Sequence, residues 1–138
     1  MKIAAIIVAA GTGSRMGGEK NKLLLEICGK TVIERTLEVF SCCDIIDAIV
    51  LVTSDSDIEK YAEKFPRIIK VTKGGKTRTE SVLNGLIAAE GYAIVAIHDG
   101  ARPLVTDEII RATVDAAKTF GAAVTGTDVF DTIKRTDE

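Results

Sequence analysis

Residues 3–27, "IAAIIVAAGTGSRMGGEKNKLLLEI", hold the reading on which the fold turns. Ile3 to Ala9 is apolar and rich in β-branched side chains, the pattern of a strand buried on both faces. It runs directly into a loop with four glycines (Gly11, Gly13, Gly17, Gly18) and three cations (Arg15, Lys20, Lys22). A buried strand that ends in such a loop and is followed by a helix is the opening of a βα unit. Its loop then lies at the carboxyl end of the strand, where α/β sheets bind ligands.

The rest of the chain repeats this alternation. Thr31 to Phe40 reads as a helix with Thr31 near its N-cap and Val32, Ile33, Leu37, Val39 and Phe40 turned inward. "AIVLVT" (48–53) is a strand. "SDSDIEKYAEKF" is a helix with Ile58, Tyr61, Ala62 and Phe65 on one face and Pro66 at its end. "IIKVT" (68–72) is a short strand, residues 79–89 a helix, and "YAIVAIH" (92–98) a strand. Thr106 to Phe120 is a helix with a Thr-x-Asp-Glu start and Gly121 beyond its end, and "AAVTG" follows as a further strand. Strands separated by single helices predict a three-layer α/β/α sandwich around a mostly parallel, Rossmann-like sheet.

At 138 residues and 46% hydrophobic content the chain is expected to form one domain, residues 1–138. A net charge of −2 supplies no global field toward nucleic acid or an anionic membrane, so any anion site is local. With 4% aromatic residues and no Trp there is little to stack bases on, and nucleic acid is not expected as a partner. The run from Ile3 to Ala10 is too short to span a bilayer and Lys2 is a poor signal-peptide start, which points away from membranes and toward the cytoplasm. Cys28, Cys42 and Cys43 fit neither a disulfide framework nor a zinc site and are read as free thiols.

Three loops that follow strands carry unusual chemistry. In the first, the glycines let successive N–H groups converge on an anion while Arg15, Lys20 and Lys22 supply full charges, the two things a triphosphate needs in a water-poor cleft. The loop is not a Walker A sequence, and its Gly-x-Gly-x-x-x-Gly spacing is not the dinucleotide fingerprint. An ordinary flexible turn is the alternative. In the second, "KGGKTRTESVLNGL" (73–86), a Gly-Gly turn with Arg78 sits at the mouth of a helix whose free N–H groups favour anions or carbonyl acceptors. The alternative is a plain helix entry with Ser81 facing solvent. The third, "HDGARP" (98–103), places Asp99 at a strand end, suited to Mg²⁺ or a sugar hydroxyl, or else to a structural clamp with Arg102.

His98, the one histidine, invites a role as general base. A phosphate monoester has a second pKa near ~6 and reaches neutral pH already ionised, so His98 is read instead as a hydrogen-bonded strand-end residue. Cys42 and Cys43 end an apolar helical pattern and are read as core packing.

Together "AAGTGSRMG", "NKLLLEI", "GGKTRTESVLNGL", "HDGARP" and "DTIKR" stand in the order and spacing of the 2-C-methyl-D-erythritol 4-phosphate cytidylyltransferases, and the whole chain resembles that family. Ribitol-5-phosphate cytidylyltransferases are similar by the same motifs. The resemblance implies transfer of CMP from CTP to the phosphate of a polyol phosphate, with Mg²⁺ and release of pyrophosphate. It implies that Arg15 and Lys22 contact the triphosphate and stabilise the charge of the transition state. Ala9, Ala10, Gly11, Gly13, Gly75, Arg78 and Ser81 correspond to the nucleotide pocket. Asp99 and Arg102 fall near the second substrate and the metal, with Asp99 the candidate metal ligand, and Thr132 corresponds to an acceptor contact.

Two departures stand out. The family's usual Pro before the catalytic Lys is Asn21, a change in loop stiffness expected to be tolerated. Members of the family are also longer. The resemblance places the start of a dimerisation β-arm at residues 128–138 and implies a homodimer, and the groups that orient the acceptor lie in the family's later region. The 138-residue chain is therefore expected to bind CTP well in excess of turning it over.

Overall fold

A computed structural model describes residues 1–11 and 21–128. In chain order these form β1 (Ile3–Val8), a 3-10 turn (Lys22–Leu24), β2 (Glu26–Ile27), β3 (Lys30–Thr31), α1 (Val32–Cys42), β4 (Ala48–Val52), α2 (Ser56–Glu59), α3 (Tyr61–Lys64), β5 (Ile68–Thr72), α4 (Arg78–Ala88), β6 (Ile94–Asp99) and α5 (Asp107–Phe120). The main sheet has the order β5-β4-β1-β6 and is parallel throughout. The antiparallel β2–β3 pair is closed by Cys28 and Gly29 at φ 49° and 76°, the two positive angles a tight two-residue hairpin asks for.

The sheet splits the apolar residues by alternation. Ile3, Ala5 and Ile7 of β1 face one layer, where they meet Ile33, Leu37 and Phe40 of α1 and Ile110 and Val114 of α5. Ala4 and Ile6 face the other, with Val50, Val52 and the end of α4. Every residue of β4 is buried, so the two central strands read as unbroken apolar runs. Each buried Ile or Leu contributes about 1.5–3 kcal/mol. α4 comes close to the sheet because Gly85 has no side chain: a Cβ there would stand 2.4 Å from Ile6 Cγ2.

Side-chain caps set the helix starts. Thr31, Thr77 and Thr106 accept from the backbone N–H of Glu34, Glu80 and Ile109, and Gly121 ends α5 in the left-handed region at φ 86°.

Three expectations need correction. The helix foreseen across "SDSDIEKYAEKF" is two four-residue helices. Lys60 turns its N–H to the Ile58 carbonyl, and the second helix is drawn toward the start of α1 by the Tyr61 hydroxyl on Thr31 Oγ1 at 2.7 Å and by the Lys64–Glu34 ion pair. The strand foreseen at "AAVTG" is not formed: residues 122–126 have no ladder partner among the described residues and are exposed. An apolar run becomes a strand only when a neighbour accepts its hydrogen bonds. Of the two adjacent cysteines only Cys43 is core; Cys42 is exposed. Burial, helped by a hydrogen bond to Asp107, pushes the Cys43 thiol up to about 11.

Candidate functional site

The chain adds β4 and then β5 on one side of β1 and returns to place β6 on the other. The order therefore reverses between β1 and β6, and the crevice outside their carboxyl ends is where such sheets bind ligands. Ala9, Ala10 and Gly11 leave β1 at this point, Asp99 to Arg102 leave β6 beside it, and the β5–α4 connection closes over the top.

The floor is tightly built. Ala9 is buried and donates its N–H to Val52 O at 2.7 Å. Gly100 donates to Val8 O at 2.8 Å, and a Cβ on it would lie 2.9 Å from Ile33 Cδ1 and 3.2 Å from Val8 O. Gly74 is pressed onto Ala10: an added Cβ would stand 2.2 Å from Ala10 Cβ. Its N–H donates to Thr53 O at 3.3 Å and to Ser54 Oγ at 3.2 Å. The first two loops singled out in the sequence thus share one wall. Gly11 is exposed, and a Cβ there would meet nothing within 4 Å.

Ser81 does not face solvent. It is 3% exposed, accepts from Gly75 N at 3.0 Å and donates to Thr77 O at 3.0 Å. It holds the Gly-Gly turn against the first turn of α4, and Lys76 N–H donates to Glu80 Oε2 at 2.7 Å in the same turn. Asp99 is gripped from two sides. Arg78 donates Nε and a terminal nitrogen to Oδ1 at 3.1 and 3.0 Å, and Arg102 Nε lies 3.2 Å from Oδ2. Both guanidinia are largely exposed, so each pair is worth only about 0.2–1 kcal/mol to the fold. Their effect is geometric: one carboxylate fixes two cations at the carboxyl end of β6, with one positive charge in excess.

Lys22 is exposed on the 3-10 turn. The residues beside it are not free to move: Leu23 is 2% exposed in the core, and Asn21 accepts from Leu23 N at 3.1 Å while donating Nδ2 to Asp55 Oδ2 at 2.9 Å. Asn21 sits at φ −59°, a proline's angle, so the backbone path is one proline would also take. Gly13, Arg15, Lys20 and Thr132, and the foreseen β-arm apart from Asp128, lie outside the described residues.

His98 differs from its expected role. Its Nδ1 is buried without a hydrogen-bond partner among the described residues, and the ring lies against Phe40 with centroids 5.0 Å apart. Burial holds its pKa below the usual value, opposed by the Asp99 charge and aided by Arg102. It faces the α1 layer rather than the crevice. Thr53, Ser54 and Asp55 are the site residues the sequence did not reveal: Thr53 is buried, donates to Ala9 O at 3.3 Å and accepts from Asp55 N at 3.1 Å. The one available signal was that a buried strand ending at Val52 is followed by "TSD", three residues able to cap or bridge.

The described residues contain no group of three or more His, Cys, Asp or Glu able to hold a metal. With each Asp99 oxygen committed to a guanidinium, these residues do not fit a magnesium ion held by the protein alone. No described helix is long and apolar enough to cross a membrane.

Comparison with known proteins bears directly on this arrangement. Residues 3–138 match the family model of 2-C-methyl-D-erythritol 4-phosphate cytidylyltransferase (IspD). The chain is 42% identical to the enzyme of that name from Clostridium tetani, covering 99% of this chain and 58% of the relative. It is 43% identical to that from Caldanaerobacter subterraneus subsp. tengcongensis, covering 100% and 64%. The fold superposes on the crystal structure of 4-diphosphocytidyl-2C-methyl-D-erythritol synthase from Anaerococcus prevotii with a TM-score of 0.85 at 35% identity, over 99% of this chain and 60% of that one. A nucleotidyl transferase from Methanothermobacter thermautotrophicus shares the fold at TM-score 0.67 and 26% identity, over 83% of this chain and 57% of that one. The chain thus spans about 60% of the length of its relatives, and over that span it belongs to the 2-C-methyl-D-erythritol 4-phosphate cytidylyltransferase family.

Proposed function

We propose that this chain binds CTP in the crevice between the ends of β1 and β6 and serves the transfer of CMP to 2-C-methyl-D-erythritol 4-phosphate, with loss of pyrophosphate. The observation that carries the reading is the family match over residues 3–138, laid on a fold that brings the family's glycine-rich and Gly-Gly loops into contact at Gly74 and Ala10.

The reaction joins a phosphate dianion to the α-phosphorus of a polyanion, so its barrier is dominated by charge repulsion and positioning. Lys22 and Arg15 are assigned to the triphosphate. There each supplies a donor where charge accumulates, a contribution on the order of 3 kcal/mol. Gly11, Gly13, Ala9, Ala10 and the Gly75–Ser81 turn offer backbone N–H and C=O groups to the ribose and the cytosine edge. Arg78, held by Asp99 at the mouth of α4, is assigned to the nucleotide, Arg102, held by the same carboxylate, to the acceptor side, and Thr132 is a further acceptor contact. A magnesium ion bound to the triphosphate would supply charge neutralisation there, and no step is assigned to a metal held by the protein. The acceptor's phosphate reaches neutral pH ionised, so no general base is assigned.

A cytoplasmic site of action and a homodimer belong to the same proposal and rest on the family resemblance. The test is calorimetric titration of the 138-residue chain with CTP and Mg²⁺, followed by pyrophosphate release with methylerythritol phosphate and with ribitol 5-phosphate. Binding of CTP with release on the first acceptor supports the full reading. Release on ribitol 5-phosphate alone replaces the acceptor, binding without release makes the chain a CTP-binding module, and absence of CTP binding refutes the proposal.

A further inference from the structure

The glycine-rich loop leaves β1 at Ala9 and rejoins the described fold at Asn21, and these two ends are tied together by side chains from a third element. From Ala9 O the connection passes through Thr53 Oγ1 at 3.3 Å, then from Thr53 Oγ1 to Asp55 N at 3.1 Å. From Asp55 Oδ2 it continues to Asn21 Nδ2 at 2.9 Å, and Asn21 Oδ1 accepts from Leu23 N at 3.1 Å. Lys22 lies between the two residues that end this chain, and its own side chain is exposed with Leu23 anchored in the core.

The contact from Asn21 to Asp55 spans 34 residues of sequence and joins an amide to a carboxylate. Charge-assisted bonds of this kind are stronger and more directional than neutral ones. Asp55 is also occupied on its other oxygen, where Oδ1 accepts from Asp57 N at 2.9 Å and caps α2. The carboxylate therefore cannot rotate without losing a cap, which makes it a fixed post for Asn21. A flexible lysine on a short turn loses binding energy if the turn itself can shift, because a displacement of about 1 Å at a reacting centre costs on the order of 100-fold.

We infer that Asn21 and Asp55 form a clasp that closes the base of the glycine-rich loop and sets the position of Lys22. Both are positioning residues, acting on the triphosphate only through that lysine. The inference rests on the proposed CTP site and on the role given there to Lys22.

The test measures CTP–Mg²⁺ affinity by calorimetry, with thermal unfolding alongside, for the wild type, Asn21→Asp, Asp55→Asn, the exchanged pair N21D/D55N, Lys22→Ala and N21D/K22A. Asn21→Asp keeps the acceptor for Leu23 N but sets two carboxylates against each other, and CTP affinity falls by about 5- to 10-fold. The exchanged pair keeps all three hydrogen bonds with donor and acceptor reversed, and affinity returns to within about 2-fold of wild type. In the Lys22→Ala background Asn21→Asp has no further effect on affinity, a null that a purely structural role would not produce. If Asn21→Asp does not fold, Asn21→Ala supplies the same comparison without the repulsion. A wild type that binds CTP alongside a silent Asn21→Asp, an unrescued exchange, or a further loss in N21D/K22A overturns the clasp alone. A wild type that binds no CTP overturns the site and the clasp with it.

Discussion

The contact between Gly74 and Ala10 is the point at which two loops become one site, and Gly74→Ala tests it. An added Cβ would stand 2.2 Å from Ala10 Cβ, with Ser54 Oγ at 3.3 Å and Ser81 Oγ at 3.4 Å. Ordinary contact begins near 3.4 Å, so the two backbones must separate by about 1.2 Å. Ala10 has no rotamer to give, and Ala9 before it is fixed by its hydrogen bond to Val52 O at 2.7 Å. The Gly-Gly turn therefore moves, and with it go the bonds from Gly74 N to Thr53 O and Ser54 Oγ. Overpacking costs about 1–3 kcal/mol and the shared donor about 1 more. The sum, about 2–4 kcal/mol, lowers the thermal midpoint on the order of 10 °C. A turn displaced by more than an ångström also misplaces whatever it offers the nucleotide, so CTP affinity falls on the order of 10- to 100-fold.

The assay pairs thermal unfolding by circular dichroism with calorimetric titration of CTP, and two further variants isolate the cause. Gly91→Ala adds a methyl in open space at φ 91°, so it costs about 1 kcal/mol of backbone strain and leaves affinity unchanged. Ala10→Gly in the Gly74→Ala background removes the opposing carbon and recovers about 2 kcal/mol, a coupling that only residues in contact show. A Gly74→Ala chain with wild-type melting and wild-type affinity would refute the reasoning.

Gly11→Ala makes the opposite pairing of effects: the Cβ enters empty space, so melting stays within about 2 °C of wild type while CTP affinity drops at least about 10-fold; equal affinity would remove Gly11 from the pocket. His98 carries a depressed pKa in the fold, so the unfolded chain binds its proton more readily; the stability held by the neutral ring is present above its ordinary value and is lost as pH falls through about 6.5 toward the lower folded value. His98→Phe flattens that part of the profile in urea titrations between about pH 5 and 7, and an unchanged slope would exclude His98 as its source. Iodoacetamide at about pH 8 labels Cys28 and Cys42 rapidly and Cys43 only after unfolding, because Cys43 is buried with its thiol pushed up to about 11; rapid native labelling at Cys43, read by peptide mass mapping, would contradict its burial.

The strands of the central sheet were legible because a strand buried on both faces leaves a continuous apolar run, as Ile3–Val8 and Ala48–Val52 do, and the starts of α1 and α5 because Thr31 and Thr106 bond their own neighbours; the cap at Thr77 was not read, and α4 begins at Arg78 rather than at residue 79. What was not legible depended on partners distant in sequence. "AAVTG" has strand-like residues, but among the described residues no strand stands beside it to accept its hydrogen bonds. The break at Lys60 follows from Tyr61 reaching Thr31, a contact across 30 residues. Arg78, Asp99 and Arg102 were each visible as candidates, whereas the double grip on Asp99 was not, since Arg78 comes from a helix 21 residues away. Thr53 and Asp55 were missed for the same reason: their work is done on Ala9 and Asn21.

The glycines that matter to the site are those where backbone meets backbone without a side chain between. Gly85 lets α4 approach Ile6, Gly100 lets the β6 turn approach Val8 and Ile33, and Gly74 lets the β5–α4 turn touch Ala10. Each removes a methyl's width from a different direction, and together they draw the ends of β1 and β6 and the mouth of α4 toward one crevice. Close approach brings N–H groups into reach of a ligand, and the packing that achieves it also fixes them, so their orientation is set before an anion arrives. The cations are held differently. Lys22 is placed through its neighbours, and Arg78 and Arg102 through a shared carboxylate, all three remaining exposed. An anion reaching the crevice is therefore met by charges that paid little desolvation in the free protein, which keeps their attraction available for the bound state.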